Sequence, residues 1–372
     1  MSEGSQQRHA YQSGEAVCWT LLCRIWQLQQ PSEVCRYLRG LRNGHFTLYA
    51  QSTLVTCLRE AAAAPYPPGA TYCSRVCKAA MSAAEADLAE VEDELADLYM
   101  QTSTGAYAQA LAQSAEGWCH KTFAYAASTG PTLDLRRSVG QSGLITLKLA
   151  TNLFEGGTGC HEWEAGFFLA EFVLSHPDIF KGSSCLELGC GAGVVGVALC
   201  RSGAATVQLT DGNGAAVDNC KYNLEINNCI PPQRLCTTQL AGNHSQETQD
   251  VQVMQMQWES PCEVQPDLIL AADVLYDPAT IVPLVLLLRR FLCNADANRT
   301  CKPTAFIATT LRNEETLRQF LYEAEGSQLI VDDISAQAWQ MDVKFQHYTA
   351  LETQRNNIFL HKVVLCARAR DL

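Results

Sequence analysis

The chain is expected to carry a doubly wound α/β sheet behind a helical N-terminal part, and three observations carry that expectation. The first is Leu186-Glu187-Leu188-Gly189-Cys190-Gly191-Ala192-Gly193, an apolar strand closed by a carboxylate and followed by alternating glycines. The second is the alternation of strand-like and helix-like segments from about residue 140 onward, the pattern of a parallel sheet. The third is the helical spacing of apolar residues before about residue 130.

Taken in order, Ala16 to Leu28 places Val17, Leu21, Leu22, Ile25 and Leu28 on one helical face. Ser32 is expected to cap a helix over Glu33 to Leu41, and Ser52 one over Thr53 to Ala64. Pro65-Tyr66-Pro67-Pro68-Gly69 reads as a turn. Ser82 and Glu85 form a capping-box signature for a run to Tyr99, with Leu88, Val91, Leu95 and Leu98 on one face. That run holds seven acids and no base, read as a solvated face or as a docking face for a basic partner.

In the second part, Leu144 to Leu149 alternates like a strand, and Glu162 to Leu174 reads as a helix stopped by Pro177. Strand 184–188, helix 192–201, strand 205–210 and helix 214–227 follow. Pro231 to Asp250 reads as an inserted loop. Strands are expected over Val251 to Trp258, Asp267 to Ala272 and Thr304 to Thr310. Helices are expected over Pro278 to Leu292 and Glu314 to Glu325. Ile358 to Ala367 is expected as a final antiparallel strand entered through a hairpin from Val343 to Leu351. The domains are therefore expected at 1–130 and 140–372.

Composition narrows the classes of function. A chain of 372 residues with 47% hydrophobic content can bury a sizeable core. No window of 18 apolar residues is present, and the start is polar, so neither a membrane span nor a secretory signal is expected. The 18 cysteines contain no C-x-x-C pair, which points to reduced thiols in a cytoplasmic protein with neither disulfide framework nor zinc site. A formal net charge of −12 without a basic run argues against nucleic acid and anionic membranes as partners.

Ligands of such sheets bind at the carboxyl ends of the strands. The candidate residues there are Glu187, Gly189, Cys190, Gly191, Asp211, Trp258, Ala272 and Asp273. Gly191-x-Gly193-x-x-Gly196 also fits a dinucleotide fingerprint. A pyrophosphate would, however, lie beside the negative Glu187. S-adenosylmethionine (SAM), with a sulfonium, an ammonium and no phosphate, suits that acid better. Asp211 can accept ribose hydroxyls, Trp258 offers ring surface to an adenine, and Ala272 leaves room for it. Asp273 and Tyr276 stand three residues apart after a buried strand, where a carboxylate and a phenol can orient an acceptor nitrogen. Read structurally, Asp273 is a helix cap before Pro278.

Four features in order, Thr158-Gly159-x-x-x-Trp163, Glu187-x-Gly189-x-Gly191, Trp258 and Asp273-x-x-Tyr276, resemble the seven-strand SAM-dependent protein methyltransferases of family 16. The resemblance implies a Rossmann-like class I methyltransferase sheet, SAM as cofactor, and Trp163 and the glycine loop in the SAM pocket. It also implies methyl transfer to a substrate nitrogen at Asp273 and Tyr276. Asn152 to Cys200, Pro266 to Leu284 and the residues from Thr309 to Thr316 are similar to the members of that family that methylate a lysine of elongation factor 2. That implies a cytosolic protein substrate recognised through residues 1–130, and a monomeric enzyme. Cys190 departs from the usual serine or alanine, and Cys160-His161 from a more apolar or hydroxylic pair. A non-catalytic SAM-binding scaffold and a small-molecule methyltransferase are the competing readings, since fold does not fix substrate.

Overall fold

The computed structural model describes residues 14–41, 43–104, 117–127, 143–152, 157–231, 249–260, 264–293 and 302–366. They fall into two compact units, Met1–Glu116 and Gly117–Leu372.

The first unit contains helices α1 (Gly14–Trp26), α2 (Pro31–Gly40), α3 (Leu48–Ala62), α4 (Ala70–Ala86) and α5 (Asp93–Thr104). Their apolar faces meet in one core that includes Leu21, Ile25, Leu38, Leu54, Val76 and Leu95. The helix starts differ from those expected. Pro31 opens α2 after Gln30, with Ser32 inside the helix; proline at this position loses no N–H bond. Thr47, not Ser52, caps α3, accepting from the Ala50 N–H. Ser82 and Glu85 lie within α4, and the expected run to Tyr99 breaks between α4 and α5. Tertiary bonds cause the break. Asp87 accepts from Arg39 Nε at 2.8 Å and from the Phe46 N–H at 2.7 Å, and Leu88 turns to φ 57°.

The second unit begins earlier than expected. Trp118–Ala127 is not helical; it forms strand β1. It pairs antiparallel with β2 (Leu144–Ala150) and with β9 (Val343–Phe345), in the registers Phe123↔Ile145 and Tyr125↔Phe345. Val343 to Leu351 is therefore not the expected hairpin into the last strand, and Leu351 lies in helix Thr349–Gln354. A buried ion pair fixes this segment. Arg355 donates from Nη1 to Glu171 Oε2 at 2.7 Å, and the Phe345 N–H donates to Glu171 Oε1 at 2.7 Å.

The main sheet contains β3 (Ser184–Leu188), β4 (Thr206–Asp211), β5 (Asp250–Gln255), β6 (Leu268–Ala272), β7 (Thr304–Thr310), β8 (Leu329–Asp333) and β10 (Ile358–Leu365). The spatial order is β5-β4-β3-β6-β7-β10-β8. β5 to β7 run parallel in that order, and β10 runs antiparallel between β7 and β8. The antiparallel final strand matches the sequence expectation; its edge neighbour, β8, does not figure in it. Residues 232–248 of the expected inserted loop lie outside the described residues. Alternate residues of the central strands enter two different cores. Leu268 and Leu270 face Phe167, Val195 and Leu209, while Ile269 and Ala271 face Leu284, Leu288 and Ile307. Both faces are thus covered, as a parallel sheet requires. The chain leaves β3 towards β4 on one side and returns to β6 on the other, so a crevice opens beyond the ends of β3 and β6.

Candidate functional site

The loop after β3 lies in that crevice, and its backbone shape demands glycine. Gly189, Gly191 and Gly193 have φ of 75°, 50° and 84°, a region that side chains with a Cβ rarely occupy. Space is equally restrictive. A Cβ on Gly191 would come 3.0 Å from the Gly159 carbonyl oxygen, and one on Gly193 would come 2.7 Å from Cys220 Sγ. One on Gly196 would strike Leu209, so helix Val194–Ser202 packs tightly on β4. The N–H groups of Gly189 and Cys190 both donate to the Thr210 carbonyl at 2.8 Å, which ties the loop to β4. Cys190 is buried; its hydrogen bond with Cys220, ahead of burial itself, holds the thiol protonated.

Glu187 is 2% exposed, and its Oε2 has no hydrogen-bond partner among the described residues. Burial, then the neighbouring Asp211 charge, push its carboxyl well above the ordinary range; a bond from the Gly196 backbone pulls the other way. A buried carboxyl with an unsatisfied oxygen is costly unless a donor arrives. Asp211 ends β4 with both oxygens engaged. Oδ2 accepts from the Gly191 N–H at 3.0 Å and Oδ1 from the Asn213 N–H at 2.9 Å. Each oxygen keeps a second acceptor position.

The cleft over this loop is lined by Glu187, Gly189, Cys190, Gly191, Trp163 and Ala272, with Leu147, Phe167 and Val195 among the apolar walls. Trp163 is set by its own motif: its Nε1 donates to the Thr158 carbonyl at 2.9 Å, across the turn Thr158–Cys160. Two neighbours of Trp163 also line the cleft. His161 donates from Nε2 to the Asn152 carbonyl at 2.9 Å. Glu162 forms an ion pair with Lys121 of β1 and leaves Oε2 without a partner among the described residues. The sequence leaves open whether His161 lines the site or stands exposed on a loop, and it does not single out Glu162. Its partner is 41 positions away, so no local pattern could reveal the pair.

The remaining candidates lie outside this lining. β5 ends at Gln255, so Trp258 is not the residue that closes the strand, and its ring packs against the core that contains Leu188 and Ile269. Asp273 follows β6 with φ 52°. Its Oδ1 accepts from the Thr310 N–H at 2.9 Å, and its Oδ2 from Thr310 Oγ1 at 3.2 Å and Arg312 Nη2 at 3.1 Å. Three of about four acceptor positions are thus filled. Tyr276 is 64% exposed on the same turn. The helix that follows is capped by Asp277, which accepts from the Ala279 N–H at 2.9 Å.

SAM fits the residues present. The orphaned Glu187 oxygen suits its ammonium, Asp211 has room for hydroxyls, and the glycine loop admits close approach. Sheet order and cleft have the arrangement of a class I methyltransferase fold. Residues 143–324 match the family described as lysine methyltransferase. The chain is 33% identical over 190 residues to the bovine protein-lysine N-methyltransferase EEF2KMT, covering 48% of this chain and 55% of that protein. It is 31% identical over 188 residues to the human EEF2KMT, covering 49% and 54%. A putative uncharacterized protein of Dictyostelium discoideum is 30% identical over 241 residues, covering 60% and 64%. The domain is thus similar to EEF2KMT-type lysine methyltransferases of family 16, and the chain spans about half the length of the EEF2KMT relatives it matches.

Proposed function

We propose that the protein is a protein-lysine N-methyltransferase that uses SAM and acts on a cytosolic protein, with elongation factor 2 as the substrate. The observation that carries the reading is the buried, unsatisfied Glu187 carboxyl in a cleft within the segment matched to lysine methyltransferases. The similarity to EEF2KMT proteins supports elongation factor 2. The enzyme is read as a cytoplasmic monomer that needs neither nucleic acid nor membrane.

When bound, SAM supplies a methyl group made electrophilic by its sulfonium. The chain's own residues do the rest. Glu187 receives the cofactor's ammonium, Asp211 its ribose hydroxyls, and Gly189, Cys190 and Gly191 let backbone come close. Trp163 and Ala272 form walls of the slot, and Trp258, which follows β5, is assigned to the adenine ring. Asp273 and Tyr276 orient the acceptor nitrogen. A free lysine has a pKa of about 10.4, so presenting it neutral near pH 7.4 costs roughly 4 kcal/mol. Desolvation and nearby positive charge lower that cost. Positioning the amine against the methyl can lower the barrier by up to about 7–11 kcal/mol. Residues of the first unit recognise the protein substrate.

The test is incubation with labelled SAM and, separately, a cell lysate or purified elongation factor 2, followed by mapping of the label. Label on a lysine of elongation factor 2 supports the reading in full. Label confined to small molecules, or no transfer by a folded, SAM-binding protein, rejects it.

A further inference from the structure

Arg312 follows β7, and two partners on different elements hold its guanidinium. Nη2 donates to Asp273 Oδ2 at 3.1 Å, and Cζ stands 5.0 Å from the centre of the Trp163 ring. Trp163 lines the cleft, and Asp273 directly follows Ala272, the last residue of β6, which also lines it. The Asp273 side chain is 6% exposed, whereas that of Arg312 is 45% exposed. A side chain arriving from solvent therefore meets the guanidinium before the carboxylate.

The charge balance has a chemical consequence for a lysine acceptor. A bare carboxylate beside an amine favours the ammonium form, which has no lone pair with which to attack. A carboxylate already paired with a guanidinium no longer does so, yet it keeps its place on the Thr310 backbone. Of the other charged groups on the surrounding elements, Glu187 of β3 is buried and assigned to the cofactor, and Glu164 is half-buried on the helix after Trp163. Glu162, before Trp163, is paired with Lys121. Glu315, on the helix after Arg312, is paired with Arg318, and Glu314 is exposed. Asp277 caps its own helix, and His161 bonds the Asn152 carbonyl.

We propose, resting on the lysine methyltransferase reading, that Arg312 is a positioning residue of the acceptor mouth. By holding Asp273 in an ion pair across Trp163, it lets the substrate amine sit there neutral. The ammonium proton goes to solvent, and the lone pair stays on nitrogen. Arg312 and Asp273 thus act as one unit, in which the arginine supplies the charge and the carboxylate the fixed geometry.

The experiment is single-turnover methylation of the protein substrate at saturating SAM between about pH 6 and 10, with SAM affinity measured in parallel. Arg312→Gln is expected to leave SAM affinity within about twofold. Its rate near pH 7 is expected to fall about tenfold, the loss for an amine pKa raised by one unit. The loss should vanish as pH rises, because the acid limb of the profile moves upward. Arg312→Lys keeps the charge and is expected to keep the limb where it is. Adding Asp273→Asn to Arg312→Gln removes the uncompensated charge and should move the limb back. A loss that is equal at every pH, or an Arg312→Lys limb displaced like that of Arg312→Gln, overturns the proposal and leaves the methyltransferase reading intact. A wild-type protein that binds SAM but methylates no protein overturns both.

Discussion

The Gly191 N–H donates to Asp211 Oδ2 at 3.0 Å, so the glycine loop is fastened to the end of the neighbouring strand by the very carboxylate assigned to the ribose. Shape and charge of the pocket are therefore coupled. Gly191→Val is expected to abolish SAM binding, since φ of 50° and the Gly159 oxygen leave no place for a branched side chain. Asp211→Ala loses both the hydroxyl contacts and the loop tether. Calorimetry is expected to show binding weakened by about 1.5–3 kcal/mol. Wild-type SAM affinity in a folded Gly191→Val protein would remove the loop from the pocket.

Buried, and with no partner for its Oε2 among the described residues, Glu187 carries a cost. Its carboxyl is held well above the ordinary range by burial and by Asp211. The folded state thus favours the neutral acid, and this contribution to stability fades as pH rises above the unfolded value of about 4.3. Glu187→Gln removes that burden and is expected to raise the melting temperature at pH 7.5 while weakening SAM binding. The cofactor's ammonium favours the ionised acid, so binding below the raised pKa releases a proton and SAM affinity increases with pH. Calorimetry in buffers of different ionisation enthalpy reads that proton directly. A pH-independent affinity with no proton release would refute the pairing.

Asp273→Ala is expected to leave SAM affinity within a few fold and to slow methyl transfer by orders of magnitude, because its bonds run to Thr310 and Arg312 rather than into the loop. Tyr276→Phe loses one hydroxyl contact, and a deficit of about 1–2 kcal/mol in transition-state stabilisation is about 5- to 30-fold in rate. Single-turnover rates at saturating SAM separate both from binding. Transfer at the wild-type rate by Asp273→Ala would exclude the residue from the chemistry.

The asparagines Asn223 and Asn227 stand in for a missing strand. Asn223 Oδ1 accepts from the Lys148 N–H at 2.7 Å while its amide donates to the Lys148 carbonyl at 3.1 Å. Asn227 does the same for Thr146, at 3.1 Å and 2.6 Å. Both side chains are buried, so truncation orphans backbone groups on the outer edge of β2. Asn227→Ala is expected to cost about 1–3 kcal/mol in denaturant unfolding. A change below about 0.5 kcal/mol would mean that water replaces the amide there.

If the first unit recognises substrate, residues 117–372 alone are expected to bind SAM normally and to methylate elongation factor 2 poorly. The comparison is a methylation rate per SAM-competent molecule. Full activity of a soluble truncation on the intact factor would reject the recognition role.

The sequence alone determined what depends on neighbours along the chain. Glu187 and the three loop glycines sit within seven residues. Strand period, glycine conformation and helix start are local properties there, so loop, sheet class and cofactor type were legible together. The same holds for Asp211, which closes a short apolar run. Only the tertiary structure decided what charges and edges far apart in sequence do. The break between α4 and α5 follows from Arg39 and Phe46 pulling on Asp87. Trp118–Ala127 became a strand because β2 and β9 supply its hydrogen bonds. The cradle of Asp273, Trp163 and Arg312 joins elements that no sequence window spans. Local propensity contributes only tenths of a kcal/mol per residue, and one buried charged hydrogen bond outweighs several such preferences.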